Sequence, residues 1–199
     1  MSGMGKFFVI ISITVLFISA CKKDVVIVQT SASLVNSSQI LFNDWVPDVT
    51  TTASGTSILI DIDADGKKDI AAWAGKSYGG HTPSSGNYYD YSVGVSPLDT
   101  NVLISIGKPN ILIKTQDVID NNLWWFVNGC DLHCTYFGFP GYWTNSNSSY
   151  GYIGVKIKSS SGYRFGWIRL KASDQFSITM QECAFNTTYG QPILAGQTQ

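Results

Sequence analysis

Between Gln39 and Ala184 apolar residues alternate with polar ones in short runs, and the residues between the runs are Gly, Asn, Ser, Asp and Pro. A two-residue period places one set of side chains on each face of an extended strand, and those separators are the residues that turn a chain. The acidic residues point the same way, because Glu182 is the single Glu among the 14 Asp and Glu residues. Glu favours helices, whereas Asp favours turns, caps and ion loops. Strands are expected at Gln39–Trp45, Thr56–Asp61, Ile70–Ala74, Tyr88–Val95, Val102–Ile106, Ile111–Lys114, Leu123–Val127, Tyr152–Lys158, Arg164–Lys171 and Phe176–Ala184. Short strands at this spacing define an all-β fold, here an antiparallel β-sandwich of jelly-roll type with long loops. Only Thr115–Asn121 offers a helical turn, with Thr115 as its cap, and it is too short to form a layer.

The firmest hairpin joins Tyr152–Lys158 to Tyr163–Lys171 through Ser159-Ser-Ser-Gly162. Ile153, Val155 and Ile157 share one face by the period of two, and Lys156 and Lys158 take the other. Gly154 and Gly166 leave room for an aromatic ring to lie across the backbone.

The N-terminus has a separate logic. Lys6 is followed by an apolar run from Phe7 to Ala20 and then by Cys21. A charged start, a short hydrophobic stretch and a small-residue cleavage point form a secretory signal, and a run of 14 residues falls short of the roughly 20 that a spanning helix needs. Ile18-Ser19-Ala20-Cys21 resembles the bacterial lipobox, which implies a lipoprotein that begins at a diacylglycerol-modified Cys21 with a further acyl chain on its new N-terminus. Each buried methylene contributes about 0.8 kcal/mol, so such an anchor is effectively permanent. After the cysteine come Lys22, Lys23 and Asp24, unlike the Asp that directly follows it in lipoproteins retained at an inner membrane. The expected location is the cell envelope at the outer membrane, facing either side. The expected organisation is a signal peptide over 1–20, a lipidated N-terminus and tether over 21–37, and a β-sandwich over 38–199. The Val-rich start of the tether reads equally as a first strand.

Asp61-Ile-Asp63-Ala-Asp65-Gly66-Lys67-Lys68-Asp69 sets carboxylates at relative positions 1, 3, 5 and 9 with Gly at 6. That is the spacing by which a tight loop wraps a hard cation, and the carbonyl of Lys67 falls at the position-7 backbone ligand. An EF-hand needs a bidentate Glu at position 12, where Ala72 stands, and no helix flanks the loop. A structural calcium site on a crossing between strands is therefore expected, with Asp61, Asp63, Asp65, Lys67 and Asp69 as ligands. A bare Asp-rich turn and a catalytic carboxylate cluster are the alternatives.

Besides Cys21 the chain has Cys130, Cys134 and Cys183, so at most one disulfide forms among them and three pairings are open. Cys130, His133 and Cys134 match no zinc-finger spacing. His81 and His133 are the only histidines and read as loop residues; no local nucleophile signature accompanies either. One Glu rules out a two-Glu glycosidase, and no Asp pair is singled out. The segment Asn128–Tyr150 is rich in rings, and Tyr136, Tyr142 and Trp143 amid Asn and Ser suit a face for sugars or peptides, or else a cover for one end of the sandwich. The net charge of −1, with Lys and Arg scattered, disfavours nucleic-acid partners.

Four stretches carry a resemblance: Ile60–Ile70, Tyr150–Ile157, Phe165–Leu170, and Ala184–Asn186 followed by Pro192–Gly196. They are similar to a family of uncharacterised exported bacterial β-sandwich lipoproteins that share an early D-x-D-x-D-G-x-x-D turn and a late Y-G-W-x-R-L strand. Phe165 replaces the Tyr of that strand here. The resemblance implies the architecture and is nearly silent on chemistry; relatives carry a C-terminal sorting tail, a role that the N-terminal lipid is expected to take here. The function so indicated is non-enzymatic: a calcium-stabilised envelope lipoprotein that binds or adheres to a glycan or protein. A polysaccharide hydrolase using Asp residues and a purely structural envelope component are the alternatives.

Overall fold

The computed structural model describes residues 25–26, 35–37, 39–52, 57–82, 86–108, 111–134, 150–173 and 176–199. The signal peptide, Cys21, Tyr136, Tyr142 and Trp143 lie outside the described residues. Two main sheets face each other. The first has five strands in the order β1 (Val25–Val26), β4 (Ser57–Ile60), β5 (Ile70–Thr82), β6 (Gly86–Pro97) and β11 (Cys130–Cys134). The second has six, in the order β2 (Val35–Ser37), β3 (Ile40–Thr52), β14 (Ser177–Asn186), β13 (Gly162–Ala172), β12 (Gly151–Ser159) and β7 (Val102–Ser105). Pairing is antiparallel in both sheets except for β1 beside β4. This is the all-β sandwich expected from the period of two.

The core between the sheets follows from that period. Ile58 and Ile60 of β4, Ala72 and Ala74 of β5, and Val93 and Val95 of β6 meet Ile153, Val155 and Ile157 of β12 and Ile168 and Leu170 of β13. Part of the outer face of the six-stranded sheet is covered as well. Trp167, Phe165, Tyr152 and Ile40 pack there under a small ribbon of β10 (Val118–Ile119) and β15 (Ile193–Leu194). A further two-stranded ribbon pairs β8 (Gly107–Lys108) with β9 (Ile111–Leu112).

The hairpin of β12 and β13 closes as expected, Ser159 opposite Gly162, whose φ of 127° lies where only glycine is unstrained. Four expectations are corrected. Leu123–Val127 is not a strand; only Phe126 bridges, to Ile104. Thr115–Asn121 is a turn leading into β10, and Asp117 Oδ2 accepts from the Lys114 amide at 2.7 Å in place of a helical cap on Thr115. Cys130–Cys134, read as the start of the aromatic segment, forms β11 on the edge of the five-stranded sheet, with Cys130 and Leu132 turned into the core. His81 and His133 sit on strands, in β5 and β11, not in loops.

Candidate metal centre

Residues 61–69 connect β4 to β5, where the sequence spacing put them. The loop is closed at its base by the Ile60–Ile70 pair and by the Asp69 amide donating to the Ile60 carbonyl at 2.7 Å. Ile62 is buried in the core and pins the loop to it, Asp61 and Asp63 are half-buried, and Asp65 is exposed. The sharp bend needs left-handed backbone at Ala64 (φ 59°) and Gly66 (φ 91°), and only the second is a residue that adopts it freely.

The carboxylates converge. One oxygen each from Asp61, Asp63 and Asp65 lie within 4.8 Å of one another, the one such group of three among the described residues. Backbone amides organise them. Asp61 accepts from the Asp65 amide (3.1 Å) and the Gly66 amide (2.9 Å), Asp63 from the Asp65 amide (3.3 Å), and Asp65 from the Lys67 amide (2.8 Å). Lys67 Nζ lies 3.9 Å from Asp65 at the exposed rim, where such a pair adds little. Asp69 turns the other way: it is buried, and its Oδ2 accepts from the Ile62 amide at 2.8 Å. Burial pushes its carboxyl up to about 7; the Ile62 bond opposes this, and the neighbouring carboxylates add to it.

Spacing alone does not reveal Arg164. It lies on β13 in phase with Gly166 and Ile168, so its side chain points to the sandwich side, and at that end of the strand it meets the loop rather than the core. Its Nη2 donates to Asp63 Oδ2 at 2.8 Å, and the Asp63 side chain is only 5% exposed. Burial raises the Asp63 carboxyl above its usual range, Asp65 adds to the rise, and Arg164 opposes it. The guanidinium lies 5.0 Å from the Phe185 ring and 5.3 Å from the Tyr189 ring. Chemically the site is an all-oxygen cluster with one fixed cation at its inner edge. Oxygen donors suit a hard divalent ion, and three carboxylates against one guanidinium leave the excess negative charge that such an ion neutralises.

Cys130 and Cys183 are buried free thiols, so neither is joined to the other. Burial pushes the Cys130 thiol up to about 12 and raises that of Cys183 too. Comparison with family models, curated proteins and solved structures yields no match.

Proposed function

We propose that the chain is an exported, lipid-anchored protein of the bacterial envelope, a β-sandwich stiffened by calcium that binds a glycan or protein without acting on it. The observation that supports this reading is the convergence of Asp61, Asp63 and Asp65 on one point between two strands. In this reading their carboxylates hold the ion, Lys67 adds its carbonyl, and Asp69 ties the base of the loop to Ile62. Bound calcium joins both strands of the β4–β5 connection and relieves the repulsion among the carboxylates. The lipid on Cys21 fixes the domain to the outer membrane, and Tyr136, Tyr142 and Trp143 serve as a ring-bearing contact face.

The test is thermal unfolding of the fragment 22–199 in calcium and in chelator. A ligand at about 100 times its Kd stabilises the folded state by about 2.7 kcal/mol. For a domain of this size that raises the midpoint by about 5–10 °C. Asp65→Ala, which leaves the Asp63–Arg164 pair in place, abolishes the rise. An equal midpoint in millimolar calcium and in chelator reduces residues 61–69 to a turn.

A further inference from the structure

The inner face of the β5–β6 hairpin runs on beyond the core. Ala72 opposite Val95 and Ala74 opposite Val93 are buried against the second sheet. Two residues further, the same face carries Lys76 opposite Tyr91, then Tyr78 opposite Tyr89. The bulge between Tyr78 and Gly80 takes up one extra residue and so returns His81, opposite Asn87, to this face. The ring Nδ1 of His81 and Asn87 Oδ1 are 2.9 Å apart. Phe176, packed on the core, marks where the opposing sheet ends, and Tyr91 stacks on it at 4.5 Å. Past that point the hairpin overhangs. Tyr78 is 60% exposed and Tyr89 44%, their rings edge to face at 5.9 Å.

The overhang is polar and aromatic with no aliphatic side chain among Lys76, Tyr78, His81, Asn87, Tyr89 and Tyr91. Among the described residues its charge is of one sign. Lys76 Nζ sits 3.9 Å above the centre of the Tyr89 ring and 5.5 Å from that of Tyr91, held over ring faces, with no carboxylate paired to it among the described residues. The only acidic residue of the two strands, Asp90, alternates to the opposite face, and the loop of Asp61–Asp69 lies at the other end of β5.

We propose that this overhang binds an acidic polysaccharide. Exposed flat rings stack on the C–H faces of sugars, His81, Asn87 and the tyrosine hydroxyls offer hydrogen bonds, and Lys76 meets a carboxylate or sulfate. From Lys76 to His81 the face extends on the order of 15 Å along the strands, a linear track suited to a polymer. A hydrophobic protein partner would call for aliphatic side chains, and this face has none. The inference rests on the reading of the chain as a non-enzymatic binding protein and adds a second contact face, with its ligand class, to that of Tyr136, Tyr142 and Trp143.

The test is affinity electrophoresis of the full mature chain in non-ionic detergent, through native gels containing hyaluronate, dextran or no polymer, each run with calcium and with EDTA. Retardation is expected in hyaluronate, weakening as salt is added. Tyr78→Ala and Tyr89→Ala each reduce it at least tenfold and Lys76→Gln at least fivefold, with unchanged melting temperatures because these side chains lie outside the core. No retardation overturns the proposal. So does retardation that the three variants leave intact but Tyr136→Ala or Trp143→Ala removes, which would move the ligand to the aromatic segment and preserve the wider binding reading. Equal retardation in dextran, indifferent to Lys76→Gln, overturns the acidic ligand class. A failed calcium site shows only as an equal melting midpoint in calcium and EDTA, so the two failures are distinguishable.

Discussion

Single glycines decide how closely the strands of this sandwich carry their rings. A Cβ on Gly166 would stand 2.6 Å from Phe185 Cδ2 and 2.7 Å from the Ala184 carbonyl oxygen. Neither can yield easily, since Phe185 is fully buried and the carbonyl belongs to the adjoining strand β14. Gly166→Ala is therefore expected to destabilise the fold by about 1–3 kcal/mol. Thermal unfolding followed by near-ultraviolet circular dichroism would report this as a midpoint lowered by about 2–4 °C per kcal/mol. Gly94 follows the same rule, with Trp73 Cζ2 at 2.6 Å. The gap at Gly166 was readable from the sequence, because a glycine in an alternating strand leaves a space on a known face. The ring that fills it was not, because that depends on the register of β14 against β13. At Gly154 the same reasoning reached only halfway: Ile119 and Ile113 share the space with Trp125.

Among the elements, the β4–β5 loop combines what spacing shows with what it conceals. The positions of Asp61, Asp63 and Asp65 and the flanking strands were readable, since ligand spacing and strand period are both local patterns. Arg164 was not, because an outwardly ordinary strand residue reaches the loop only through the packing of one sheet on the other. Its replacement tests how the loop is held. Arg164→Ala leaves the nearly buried Asp63 carboxylate without its counter-charge, a loss of about 1.5–3 kcal/mol for a charged hydrogen bond. On the proposed reading of a calcium site, the drop in melting midpoint is full in chelator and smaller in calcium, where the ion takes over the neutralising role. Equal drops in both would separate Arg164 from the ion site. The misread elements have separate causes. β11 shows only one full alternation, Cys130 and Leu132 inward with Asp131 between them, too short a pattern to stand out beside the glycines and rings around it. Leu123–Val127 carries strand-forming residues, yet Trp124 and Val127 are exposed and Trp125 Nε1 donates to the Asp120 carbonyl at 3.0 Å, closing a local turn instead of a ladder.

At the scale of the whole molecule, the six-stranded sheet is buried on one face by the partner sheet, and on the other face its part around Tyr152, Phe165, Trp167 and Ala184 is buried under the β10–β15 ribbon. The indole of Trp167 belongs to the outer layer, with its Nε1 donating to the Gln197 carbonyl at 3.1 Å. The cysteines of the inner layer report on its integrity. With Cys134 replaced by Ser, Cys130 and Cys183 should resist a water-soluble thiol reagent in the native state, because they are buried and the burial-raised pKa of Cys130, about 12, keeps its thiol protonated at pH 8. Both should react in denaturant; rapid labelling of the native chain would mean that the layer opens readily.

The position of β3 bears on timing. Besides the short β2, its ladder partner is β14, and the Thr187 hydroxyl, just past that strand, reaches the Gln39 carbonyl across 148 positions of chain. A polypeptide that emerges from its N-terminus thus leaves the β14-facing edge of β3 unpaired until Ser177–Asn186 is made or delivered. Closing so long a span makes assembly slow and leaves unpaired edges open to other chains in the meantime. Dilution, or a chaperone that shields that edge, is then what separates a productive refolding from a precipitate.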